Sequence, residues 1–141
     1  MKIIQITDTH LVPRGKTLHK LNPCDRLEIC VENIKMHHSD AEFCIITGDL
    51  TDKGDIKAYH DLRDIIERLP MPCHPLMGNH DDREIFCKVF PNVPRDENGF
   101  VQHILETKSG RFLLLDTVEH GANYGSYCAK RAKWLSNQLS T

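Results

Sequence analysis

Three short apolar runs, Lys2 to Thr7, Phe43 to Thr47 and Cys73 to Met77, each end abruptly in a polar turn, and a segment of helical period follows each one. Short apolar runs bounded by turn residues predict buried strands. Asn22-Pro23 supplies an N-cap and a first-turn proline, and Leu27, Cys30, Val31 and Ile34 mark the inner face of a helix reaching about Ser39. Asp55 opens a second helix, in which Tyr59, Leu62, Ile66 and Leu69 keep the period until Pro70 and Pro72 end it. Pro75 places the third strand at an edge or in an irregular position. Asp82 to Phe90 predicts a short third helix with Ile85 and Val89 inward.

Beyond Pro94 the pattern changes. Phe100 to Thr107 and Arg111 to Asp116 are strand-like runs joined by Lys108-Ser109-Gly110, which predicts a β-hairpin. A glycine-containing loop then leads to a last helix, Ala129 to Leu139, with Trp134 as an expected core anchor. Three strand–helix units imply a parallel sheet with right-handed crossovers, and the hairpin is expected to add antiparallel strands at one side. The class is α/β, and 141 residues with 40% hydrophobic content suit a single domain.

Charge removes some function classes. A net charge of −2, from 18 basic and 20 acidic residues spread without runs, leaves no electrostatic footprint for a nucleic-acid polymer or an anionic membrane. The apolar start, Met1 to Ile6, breaks off before the length of a signal-peptide core, and no later stretch approaches a membrane span. The six cysteines form no C-x-x-C pair, so free thiols in a reducing compartment, and hence a cytoplasmic location, are expected.

The chemistry lies in the turns after the three strands. Asp8 and His10 are two apart, so an extended backbone would point a carboxylate and an imidazole the same way. Gly48-Asp49 offers a carboxylate whose two oxygens can reach two cations. In Gly78-Asn79-His80-Asp81, the asparagine offers a neutral carbonyl oxygen beside an imidazole, and the glycine permits a tight turn. Each cluster alone also reads as ordinary turn or cap chemistry. Together they fall at successive carboxyl ends of one parallel sheet, the edge where such sheets bind ligands.

In this order, D-x-H, G-D and G-N-H-D, the sequence resembles the calcineurin-like metallophosphoesterase superfamily. The resemblance to class III phosphodiesterases, which include cyclic-nucleotide and glycerophosphodiester enzymes, rests on Ile6 to Leu11, Gly48 to Asp52 and the segment around Lys133-Trp134-Leu135. It implies the N-terminal half of a four-layer α/β/β/α sandwich. A Gly-His and a Gly-His-x-His motif are expected on later strands, and after Asp81 the chain carries only His103 and His120, neither in that context. Residues 1–141 are therefore expected to form one incomplete domain.

Carried over by resemblance, Asp8 and His10 bind the first metal, Asp49 bridges, and Asn79 binds the second. His80 stays off the metals and acts on the phosphate as a cationic stabiliser or proton donor, oriented by Asp81 or a backbone group. The implied cofactors are two divalent ions among manganese, iron, cobalt and zinc, and the implied reaction is hydrolysis of a small phosphodiester by a metal-bridging hydroxide. A truncated, catalytically impaired binding or scaffold module is the alternative. Strands as apolar as Phe43 to Thr47 need packing on both faces, so another copy or the remaining C-terminal half is expected to cover an open sheet face.

Overall fold

In the computed structural model, which describes residues 1–140, β1 (Ile3–Ile6), β2 (Phe43–Thr47) and β3 (Cys73–Leu76) form one parallel sheet in the order β1-β2-β3. The crossovers are α1 (Pro23–His37) and α2 (Ile56–Ile66), and α3 (Arg83–Val89) follows β3. Side-chain caps set the three starts: Asn22 accepts from the Asp25 amide, Asp55 from Lys57 and Asp82 from Ile85. Pro75 does lie in an edge strand, where its missing N–H leaves no ladder bond unmade.

The main core lies between the sheet and α1–α3, where Ile46, Leu50, Tyr59, Leu62 and Phe86 are completely buried. Phe86 fills a place that the sequence reading gave to Ile85, which is only partly covered. No helix among the described residues is long and apolar enough to cross a membrane.

The hairpin departs from expectation. β4 (His103–Thr107) and β5 (Gly110–Leu114) make a separate two-stranded sheet and do not extend the parallel one. Leu105, Phe112 and Leu114 lie instead on Phe43 and Ile45, with the Phe43 and Phe112 rings edge-to-face at 5.2 Å. Stacking face to face buries the apolar sides of both sheets, which pairing at an edge would leave in water. The face expected to lack intramolecular cover is thus covered over β2, while Ile3 and Gln5 of β1 remain exposed.

The last helix, α4 (Ala129–Leu139), buries Arg131 and leaves Trp134 partly exposed, so the tryptophan is not the expected core anchor. The Arg131 guanidinium sits 4.6 Å from the centre of the Phe100 ring and donates to the carbonyl of Asp116 at 2.9 Å. The buried Asp116 carboxylate accepts two bonds from Arg83, at 3.0 and 2.9 Å, and one each from the Val101 and Val118 amides. One carboxylate thereby ties α3 to the two ends of the hairpin, with α4 held against the same backbone.

A cavity of about 540 Å³ opens beside β3, lined by Met71, Cys73, His74, Phe90 and His103. The His74 and His103 rings lie 5.8 Å apart, and both nitrogens of His103 are buried without a hydrogen-bond partner. Burial holds both imidazoles below the ordinary histidine value, and His74 pushes His103 further down. Arg63 of α2 and Glu67 at its C-cap border the same space. The folded chain therefore binds these protons less readily than the unfolded chain, so this stability is full above about pH 6.5 and is lost as pH falls below it. The urea midpoint should drop between about pH 7.5 and about pH 5.5, and His103→Phe should flatten that slope. Equal slopes in the two proteins would contradict this account.

Candidate metal centre at the strand ends

The loops after β1 and β2 continue as a pair beyond the strands. Asp8 N donates to Gly48 O at 3.2 Å, His10 N to Asp49 O at 2.8 Å and Leu11 N to Leu50 O at 3.0 Å. The loop after β3 joins them through Asp81. Its buried carboxylate accepts from the amides of Leu50, Thr51 and Gly78, from the Thr51 hydroxyl and from the Tyr59 hydroxyl. Burial pushes this carboxyl up, against those donors.

Gly78 lets the loops close on each other. A Cβ at this position would lie 2.1 Å from Asp49 Oδ1 and 2.4 Å from the Asp49 amide nitrogen. The backbone at the candidate ligands is strained: five non-glycine residues among those described have positive φ, and Asp8 (+55°), His10 (+41°) and Asp49 (+47°) are three of them. Such strain persists only where surrounding bonds over-determine it, as the paired loops do here.

The side chains converge. His10 Nε2 lies 3.6 Å from Asp49 Oδ2 and 3.8 Å from Asp8 Oδ1. Asp49 Oδ1 accepts from the His80 amide at 3.1 Å, so the two oxygens of one carboxylate face two different loops. The His10 and His80 rings meet edge-on at 4.7 Å, and ligand atoms of His10, Asp49 and His80 lie within 4.8 Å of one another. Carboxylates and imidazoles crowded together fit a divalent cation of the manganese-to-zinc range. His80, expected to stay off the metals, stands beside His10 and Asp49 with a ring nitrogen within the same 4.8 Å. Asn79 is exposed on the same turn, between Gly78 and His80.

His80 Nδ1 donates to the Asp52 carbonyl at 2.8 Å. That bond chiefly, with the charges of Asp49, Asp52 and Asp81, holds the imidazole above the ordinary histidine value. A backbone group thus orients His80. Asp81, the other expected orienter, bonds elsewhere and acts as the clamp between loops. Tyr59 also belongs to this clamp, since its hydroxyl donates to Asp81 at 2.8 Å and accepts from the Asp82 amide at 2.9 Å. Periodicity marked Tyr59 only as core. The available signal was that a buried phenol needs a hydrogen-bond partner.

Beside Asp8 and His10 opens a cavity of about 330 Å³, walled by Leu18, Leu21 and Leu27 with His19 and Arg26. The fold thus puts His19 next to the metal-ligand candidates. His37 and His38 stay at the far end of α1, where the His38 amide caps the helix on Ile34.

The calcineurin-like phosphoesterase family model matches residues 1–138. A protein of Rhodopseudomonas palustris named as a probable cyclic nucleotide phosphodiesterase is 40% identical across 99% of the chain and 52% of its own length. One of Arcobacter nitrofigilis, named as a probable glycerophosphodiester phosphodiesterase, is 29% identical across 99% of the chain and 52% of the relative. The 3',5'-cyclic adenosine monophosphate phosphodiesterase of Escherichia coli K12 is 26% identical across 99% of the chain and 50% of the relative. The chain spans about half the length of these relatives. With the motif loops, the parallel sheet and the family match in agreement, this chain belongs to the calcineurin-like phosphoesterase family.

Proposed function

We propose that residues 1–141 are the part of a metal-dependent phosphodiesterase domain that carries its first metal-ligand cluster, acting on small phosphodiesters of the cyclic-nucleotide or glycerophosphodiester class. The observation that carries this reading is the convergence of His10, Asp49 and His80 within 4.8 Å, with Asp8 alongside. The names of the relatives supply the substrate classes.

In this reading Asp8, His10 and Asp49 would hold one cation, and Asp49 and Asn79 would hold a second. Two divalent ions, from manganese, iron, cobalt and zinc, would supply Lewis-acid polarisation of a phosphoryl oxygen and an acidified water. His80, with Nδ1 occupied by Asp52, keeps Nε2 for giving a proton to the departing alkoxide oxygen. The cavity at His19 and Arg26 receives the remainder of the substrate, with its leucine walls offering apolar contact. The open sheet face at Ile3 and Gln5 of β1 is covered by further chain of the same enzyme or by a second copy, and the enzyme works in the reducing cytoplasm.

The test is hydrolysis of an aryl phosphodiester with added manganese. The 141-residue chain should turn over poorly, and a form extended through the Gly-His and Gly-His-x-His motifs should be active. In the extended form His80→Ala should lower turnover by roughly 10²–10⁴ while metal content holds. Inactivity of the extended form would remove the catalytic reading, and loss of metal with His80→Ala would make His80 a ligand instead.

A further inference from the structure

Away from the metal centre, Cys44 on β2 and Cys73 on β3 are direct partners in the parallel ladder. Neighbouring strands lie about 4.7–4.9 Å apart, and both side chains point to the same sheet face, here the face of the main core. Disulfides bridge Cα separations of roughly 4.4–6.8 Å with Cβ atoms about 3.5–4.5 Å apart, so the strand spacing suits the pair and closure draws the two Cβ atoms slightly together. Both thiols are free, Cys44 is completely buried, and Cys73 is partly exposed on the cavity of about 540 Å³ beside β3. One thiol of the pair can be reached from solvent and the other lies directly behind it.

We propose that Cys44 and Cys73 form a dithiol site that exchanges with small disulfides of the glutathione type, Cys73 reacting first and Cys44 resolving. The Cys73 sulfur, after losing its proton, attacks one sulfur of oxidised glutathione. The glutathione S–S bond breaks, a mixed disulfide forms on Cys73, and one glutathione thiolate leaves and takes up that proton. Cys44 then loses its proton and attacks Cys73 Sγ, and the second glutathione leaves as a thiol. Two protein thiols are oxidised to one disulfide, and one glutathione disulfide is reduced to two thiols.

Side by side, the two thiols perturb each other, Cys73 lowering the pKa of Cys44 and Cys44, with burial, raising that of Cys73. Access, and not acidity, therefore sets the order of attack, since Cys73 borders the cavity while Cys44 is completely buried. The remaining cysteines lack this arrangement. Burial raises Cys24, Cys30 and Cys87, whereas Cys128 is exposed at the start of α4, where backbone amides lower its pKa. Cys128 should react with glutathione and stop at the mixed disulfide.

The experiment uses the 141-residue chain carrying Cys128→Ser, treated with oxidised glutathione and mapped by mass spectrometry. The expected product has lost two hydrogens, contains a Cys44–Cys73 cross-link and returns to the starting mass with a thiol reductant. Cys44→Ser should convert it to a stable glutathione adduct on Cys73. A link between Cys30 and Cys44, or a folded chain that stays unmodified, overturns the proposal. Phenylarsine oxide, which bridges adjacent thiols, gives a test without substitutions in the core. It should protect both Cys44 and Cys73 from alkylation, and failure to protect either one also overturns the assignment.

Discussion

Asp116→Ala should be the most destabilising single substitution in the molecule. The carboxylate is 3% exposed, and it neutralises Arg83 while anchoring the amides of Val101 and Val118. Its removal leaves Arg83 and the equally buried Arg131 without their shared partner, along with two amides lacking acceptors. Breaking a buried pair from one side costs about 3–5 kcal/mol, a large share of the roughly 5–15 kcal/mol that keeps a domain folded. The urea midpoint should fall steeply, and α4 amides should lose hydrogen-exchange protection with those of α3. A loss under about 1 kcal/mol would mean that the network contributes little net stability.

Gly78→Ala should remove metal binding with a smaller effect on the fold. The new methyl carbon would meet Asp49 Oδ1 at 2.1 Å and the Asp49 amide nitrogen at 2.4 Å. The carboxylate can rotate, but the amide belongs to a backbone that the neighbouring loops hold by hydrogen bonds from Asp8 and His10. Asp49 must therefore leave its place between His10 and the His80 amide. Displacing a supporting group at a metal site costs about 10–100-fold in affinity, and moving a ligand itself should reach at least the top of that range. Manganese titration of wild type and variant checks it. Unchanged affinity would mean that Asp49 does not hold the cation in the geometry described.

The elements were legible because each carries its own punctuation. Asn22, Asp55 and Asp82 start helices where their side chains cap amides, and strand runs end where Asp8, Gly48 and Gly78 begin. The loops could be located for the same reason, since a parallel sheet brings successive carboxyl ends to one edge. The hairpin's placement was not legible. Alternation in Leu105, Phe112 and Leu114 shows an apolar side but not whether it meets a sheet face or leaves an edge to pair. Nor could spacing reveal the partner of Asp81, because Tyr59 comes from a helix 22 residues earlier and its hydroxyl matters only after folding. Arg131 was hidden by its charge, which reads as surface until Asp116 and Phe100 surround it.

The central claim is that three strand-end loops bring Asp8, His10, Asp49 and the Asn79-His80 turn together at one metal centre. Paramagnetic broadening of histidine imidazole signals by manganese, in the 141-residue chain, tests this without requiring turnover. His10 and His80 should broaden first and at the lowest manganese concentration, while His37 at the end of α1 and His60 on the outer side of α2 stay sharp. Asp49→Ala should abolish that selectivity. Uniform broadening of all the histidines, or the same selective pattern in the Asp49 variant, would contradict the account.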